Sequence, residues 1–246
     1  MSRTDFSFYK YGSIDIAKRI LTGGTVYYNN PLNFNDPFDC NPVYTPEQLI
    51  KDVQASFKQY GNQDIDSDHA SRSINMVPIL QQGLLREMAC SNLGVTCFSL
   101  DPFNPPMWYH YASQHMGVVI EFKPTDDLPI ETHTNNEYKK IHPRKVEYYH
   151  EGDMPRVDGA VQSYDILFHK TKHWEYEQEV RDVQGKDGVV KFDRIQIGKV
   201  YGGIQISSEN REELKEIINC MNNDTGGSAE YVQLGIDYET YKMIIL

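Results

Sequence analysis

Glu177, Glu179 and Arg181, spaced two apart at the end of the run His173 to Arg181, are the residues of this chain best placed to do chemistry. Extending that run as a strand puts both carboxylates and the guanidinium on one face. The carboxylates would then stand about 7 Å apart, from the strand rise and pleat. At that separation they bind a sugar, activate a nucleophile or hold a cation. The opposite face, with Tyr176, Gln178, Val180 and Asp182, is only partly apolar, so neither face resembles simple core. A surface strand with a cross-charged ladder is the competing reading.

Three further groups have chemistry to offer. In Leu32-Asn33-Phe34-Asn35-Asp36-Pro37-Phe38-Asp39 the polar residues favour tight turns, and the phenylalanines pin the loop to a core. Beyond that structural role, Asn35, Asp36 and Asp39 offer polar atoms for ribose hydroxyls or a cation at a cleft rim. If a helix runs through Trp108, Tyr111 and His115, the last two lie at i and i+4 and share a face. That pair can stack on an aromatic ligand and trade a proton, although a histidine beside tryptophan is more often a packing residue. In Tyr9-Lys10-Tyr11 a strand sends both tyrosines to one face and the lysine to the other, so either the aromatics or the cation meets a cleft.

Other chemistries lack their signatures. His110 and His115 are five apart, the wrong spacing for one helical face, and no H-E-x-x-H occurs. Gly23-Gly24 makes a helix stop and no phosphate loop, and no serine nucleophile elbow is present. Cys40, Cys90, Cys97 and Cys220 show no C-x-x-C pairing, so neither a metal site nor a disulfide framework is expected.

The elements that must position these residues follow from capping and periodicity. A strand over residues 6–11 leads through a Ser13 cap into a helix to Leu21, and a second strand covers 25–28. Thr45-Pro46-Glu47-Gln48 starts a helix whose Leu49, Val53 and Phe57 face the core, residues 61–73 form a polar loop, and another helix runs over about 74–89. Together 45–91 make a helical insertion within a single domain spanning 1–246. Next come a strand over 94–99, a short helix opened by Pro105-Pro106, a strand to Phe122, a basic strand over about 140–149 and a helix near 157–168. Strands over 189–194 and 199–204, a helix over about 209–221 capped at Ser208, and one or two closing strands complete the chain. No regular strand-helix alternation persists, so the expected class is α+β with a mixed, mostly antiparallel sheet.

At 246 residues, 39% hydrophobic and 24% charged, the chain can bury one sizeable core. No apolar run approaches the roughly 18 residues of a spanning helix, so no membrane partner is expected. The start lacks an apolar signal core, which points to a cytoplasmic protein. A net charge of −11 disfavours broad attraction to nucleic-acid phosphates and leaves only the short basic run from Lys139 to Lys145 for local contact.

Taken in order, these motifs resemble an uncharacterised bacterial domain family, some of whose members carry abortive-phage-infection labels of the AbiGi type. The resemblance rests on Tyr9-Lys10-Tyr11, Phe34 to Asp39, Cys97-Phe98-Ser99, Met107-Trp108 with Tyr111, His115 and Gly117, Glu121-Phe122, and Trp174 with Glu177, Glu179 and Arg181. More distantly, the ordering is similar to the ADP-ribosyltransferase plan of bacterial toxins, although a Ser-Thr-Ser strand is missing. That similarity implies NAD as substrate, with Tyr9 or Lys10 in the early-strand role, Tyr111 over nicotinamide and Glu179 at the ribose, Glu177 completing a Glu-x-Glu. Glu179, Glu177 and His115 are then the catalytic candidates. Tyr9, Lys10, Asn35, Asp36, Tyr111 and Arg181 are the nucleotide-binding ones. The expected function is an ADP-ribosyltransferase-like or NAD-consuming enzyme in phage defence or as a toxin, its target a protein or a nucleic acid. The alternative is a noncatalytic domain sensing a nucleotide or a phage protein. A metal-dependent nuclease built on Asp36, Asp39, Glu177 and Glu179 is the third reading.

Overall fold

The computed structural model describes residues 5–61, 64–75, 85–87, 89–124, 138–160, 162 and 164–246. Strand β1 (Phe8–Gly12) runs into helix α1 (Ile14–Gly23), where the Ser13 side chain accepts from the Ile16 amide. Gly24, at φ 58°, closes the helix in the left-handed region that glycine enters at little cost. Strand β2 (Thr25–Tyr28) follows. Helix α2 (Pro46–Tyr60) carries the expected Thr45 cap and leading proline.

Strands β3 (Gly94–Ser99), β4 (Val118–Phe122), β5 (Arg144–Lys145), β8 (Glu179–Gln184), β10 (Ile197–Gly202), β11 (Glu230–Asp237) and β12 (Lys242–Ile245) join β1 in an eight-stranded sheet. Its order is β12-β11-β10-β4-β1-β3-β8-β5. Every pairing is antiparallel except β10 with β11. Between those two the chain crosses over through a helix (Ser208–Thr225), as a parallel pair requires. Strand β2 pairs with β9 (Gly188–Lys191), and β6 (Glu147–Tyr149) with β7 (His169–Thr171), in two small separate sheets. The fold is therefore α+β with a mixed, mostly antiparallel sheet.

Alternation along β4 divides the apolar side chains. Val118, Ile120 and Phe122 join Ala17, Leu21, Leu214 and Ile218 in one cluster, whereas Val119 packs with Tyr11, Trp108 and Tyr201 in another. The sheet is incomplete at one place. Strand β1 pairs with β4 along five residues, but with β3 only at Tyr9 opposite Ser99. Beyond that pair the strands part, and the Lys10 ammonium spans the gap to Thr96 Oγ1 at 3.0 Å and the Cys97 carbonyl at 2.8 Å.

Four sequence expectations change, and a fifth lies largely outside the described residues. The cap of the helix Ser208–Thr225 is Ser207 and not Ser208, its Oγ accepting from the Asn210 amide at 3.2 Å. The polar stretch 61–73 contains the start of helix α3 (Ser67–Asn75), because the Asp66 carboxylate accepts from the His69 amide at 2.7 Å and caps it. Leu49, Val53 and Phe57 are only half-buried, since α2 packs chiefly against α3. Of the helix expected over 74–89, residues 76–84 and 88 lie outside the described residues. Among the described residues near 157–168 the only helical piece is a 3-10 turn, Asp165–Phe168, and Val157 instead bridges to Tyr44. Residues 161 and 163 lie outside the described ones.

Candidate functional site

Glu177 and Glu179 do not share a strand. Lys172–Glu177 is a 3-10 turn, Gln178 sits in the left-handed region at φ 44°, and β8 begins at Glu179. A non-glycine residue there is uncommon, and period-2 spacing cannot be carried through it. The reversal is pinned to the end of β3: Ser99 Oγ donates to the Glu177 carbonyl at 2.6 Å, and the Leu100 amide to that of Gln178 at 2.9 Å. The two carboxylates nevertheless converge, because Lys170 on β7 donates from Nζ to Glu177 Oε2 at 2.6 Å and Glu179 Oε2 at 3.0 Å.

Behind Glu179 lies Arg181, 1% exposed. Its guanidinium forks onto Glu179 (Nε to Oε1 2.8 Å, Nη2 to Oε2 2.9 Å) and onto Asp39 (Nη1 to Oδ1 2.9 Å, Nη2 to Oδ2 2.6 Å). Nη1 also donates to the Leu167 carbonyl at 2.8 Å. The loop after β2 is thereby tied to β8 across most of the sequence. Lys170 stands at the centre of Asp39, Glu177 and Glu179, where a metal ion would otherwise have to sit. Among the described residues no group of histidine, cysteine and carboxylate side chains is arranged to hold a metal.

Burial pushes the Glu179 carboxyl up, but Arg181 and Lys170 outweigh it and pull it down to about 2. Glu177 goes the other way: burial raises it, Lys170 opposes, and the neighbouring Glu179 charge raises it further. Lys170 is itself held above its ordinary value, because the carboxylates overcome its burial. For Glu179 the folded state binds fewer protons than the unfolded chain, whose glutamates titrate near about 4.3. Its contribution to stability is complete above that pH and is lost as pH falls toward about 2. Thermal melts from pH 6 to 2.5 should show the wild-type midpoint falling steeply over that window, and Glu179→Gln should flatten the fall while lowering the plateau.

Lys170 and the two glutamates line a cavity of about 160 Å³ at the gap between β1 and β3, together with Tyr9, Lys10, Tyr11, Phe34, Asn35 and Tyr111. The splaying of β1 from β3 exposes both faces of β1, so the two tyrosines and the lysine meet one cavity, contrary to the simple alternation. Helix α4 (Pro105–Tyr111) is capped by Asn104, whose amide also donates to the Tyr176 carbonyl at 2.6 Å. The helix thereby presents Tyr111, whose hydroxyl donates to Glu177 Oε1 at 2.8 Å. Burial and the Glu177 charge hold that phenol protonated. On the Lys10 side, burial lowers the amine's pKa, with Cys97 and Glu179 opposing. Among the described residues no carboxylate lies within ion-pair distance of it.

Of the candidates read from sequence, Tyr9, Lys10, Asn35, Tyr111, Glu177 and Glu179 are brought together here. Arg181 lies behind the wall, all its donors taken. Asp36 belongs to its own turn, accepting from the Phe38 amide at 2.9 Å, and lines a separate outer hollow. His115 is absent because α4 ends at Tyr111 and residues 113–115 all take positive φ, so Tyr111 and His115 share no helical face. Its ring instead stacks on Trp108, 6.4 Å between centroids and 8° apart in plane. Sequence missed Lys170, a lone lysine in a three-residue strand, and Tyr148, whose hydroxyl accepts from the Glu179 amide at 2.7 Å. The only signal for Lys170 was its position between the apolar run 166–168 and Trp174, over whose ring its ammonium sits at 4.9 Å.

No helix among the described residues is long and apolar enough to cross a membrane. No curated protein and no solved structure matches the chain. Residues 107–181, the segment that supplies Tyr111, Lys170, Glu177, Glu179 and Arg181, match a family described as "Protein of unknown function (DUF2971)", and it is to this family that the chain is similar.

Proposed function

We propose that the cavity is the active site of an NAD-consuming, ADP-ribosyltransferase-like enzyme acting in phage defence or as a toxin. The observation that carries this reading is Glu177: a buried carboxylate facing an aromatic-walled cavity, its two oxygens held by Tyr111 and Lys170. The cavity volume suits one six-membered ring, since a pocket of about 150 Å³ holds benzene. With nicotinamide there, the ribose C1′ lies toward the carboxylates. The C1′–N bond breaks with its electron pair passing to the nicotinamide nitrogen, and Glu177 stabilises the positive charge that develops on the ribose. Water or an acceptor then adds at C1′ and yields its proton to Glu177. Lys170 opposes the burial that disfavours a charge on Glu177, Tyr111 fixes its orientation, and Glu179 with Arg181 keeps Lys170 in place.

The test is incubation of the purified protein with NAD, alone and with cell lysate, reading nicotinamide release and transfer of label from the adenylate. Release is the expected result, and label on a protein or nucleic acid identifies the target class. A folded protein that neither releases nicotinamide nor transfers label overturns the reading. If NAD still raises its melting temperature, the chain is a nucleotide-sensing domain.

A further inference from the structure

We propose that the hollow between α1 and β2 is the second half of the same binding site and takes the phosphate-bearing half of a dinucleotide. The proposal rests on the reading of the first cavity as a nicotinamide site. The hollow, about 390 Å³, shares Lys10, Phe34 and Cys97 with that cavity, so the two meet at the gap between β1 and β3. Among the described residues its charged lining is Lys10 and Arg19, with no carboxylate, whereas the first cavity sets Asp39, Glu177 and Glu179 against Lys10 and Lys170. In a chain of net charge −11 that local reversal of sign selects an anion. Among the described residues Arg19 has no carboxylate within ion-pair distance.

Lys10 supplies the junction. An ammonium has three donors, and two are used on Thr96 and the Cys97 carbonyl. One is left for a ligand oxygen. An anion arriving there also offsets the burial that lowers the lysine's pKa. Beyond Arg19 the walls mix apolar Ile16, Val26 and Val189 with the uncharged polar Thr25 and Asn29, and Tyr27 offers a ring that is 54% exposed. A ring in the first cavity, a pyrophosphate at Lys10 and Arg19, and a second ring against Tyr27 is the sequence of chemistries in a dinucleotide.

The experiment measures binding, without turnover, by titration calorimetry on the full chain with ADP-ribose and, separately, nicotinamide. Arg19→Ala and Tyr27→Ala, both at the surface, should each weaken ADP-ribose about 5- to 20-fold, and both should leave nicotinamide within twofold. Arg19→Glu should weaken ADP-ribose further and reduce its dependence on salt, Lys10 remaining as the one cation at the pyrophosphate. ADP-ribose affinity unchanged within twofold in all three variants overturns the proposal, even if the wild type releases nicotinamide from NAD. If ADP-ribose binding depends on Arg19 but NAD is not consumed, this subsite stands and the catalytic reading of Glu177 falls.

Discussion

Arg181→Met is expected to destabilise the protein by about 3–5 kcal/mol, the usual cost of removing one partner from a buried ion pair. Methionine fills much of the volume, so the loss is electrostatic. The five N–H donors of Arg181 all end on protein acceptors: two on Glu179, two on Asp39 and one on the Leu167 carbonyl. Without them Glu179 and Asp39, both 5% exposed, keep only Lys170 as a cation, and it approaches Asp39 no nearer than 3.8 Å; the Cys40 thiol on Asp39 at 3.3 Å carries no compensating charge. For a chain of this size a kilocalorie moves the midpoint by about 2–4 °C, so a drop of roughly 10 °C follows. Urea denaturation and thermal melts measure it, and a loss under about 1 kcal/mol would sink the argument. Arg181→Lys keeps the charge but cannot fork onto two carboxylates; it should fall between wild type and Arg181→Met, and it provides the measurement if the methionine variant does not fold. Activity should fall with either substitution, because Asp39 and Glu179 hold Lys170, and Lys170 holds Glu177.

That chain of dependence explains which parts of the site could be read in advance. Caps and apolar periodicity are local signals, and they located β1, α1, β2, the start of α2, β3 and β4 closely. They also placed Tyr9, Lys10, Tyr11, Tyr111 and Glu179 on their elements, because each stood in a short motif. What failed depends on backbone conformations that side-chain patterns do not encode. Gln178 and residues 113–115 adopt positive φ without glycine, so one apparent strand became a turn and a strand, and one apparent helical face ended a turn early. The first error preserved the site, since the turn swings Glu177 back beside Glu179 onto Lys170; the second removed His115 from it. Lys170 was illegible for a different reason. Its role is set by partners 7, 9 and 131 residues away, and a single lysine carries no periodicity.

Glu177→Gln should lower nicotinamide release by about 10²- to 10³-fold, the cost of losing one preorganised electrostatic contact to a developing charge, with little change in melting temperature. Chain order assigns the ribose-facing role to Glu179, but the geometry favours Glu177. Glu179 is committed on both oxygens to Arg181 and on one also to Lys170, so a developing charge would compete with two fixed cations for it. Glu177 has one oxygen on Lys170 and the other on a neutral phenol, which can yield or rotate when a cation forms beside it. The glutamine can satisfy the same neighbours, its carbonyl turned to Lys170 and its amide donating to the Tyr111 oxygen. It also removes the like charge next to Glu179, so folding loses little. Glu179→Gln, by contrast, weakens a fully buried pair and should lose activity and stability together. The comparison therefore needs both variants, each with a melt beside its rate. A Glu177→Gln protein that melts like wild type and retains more than a tenth of its rate shows that the reacting carboxylate lies elsewhere.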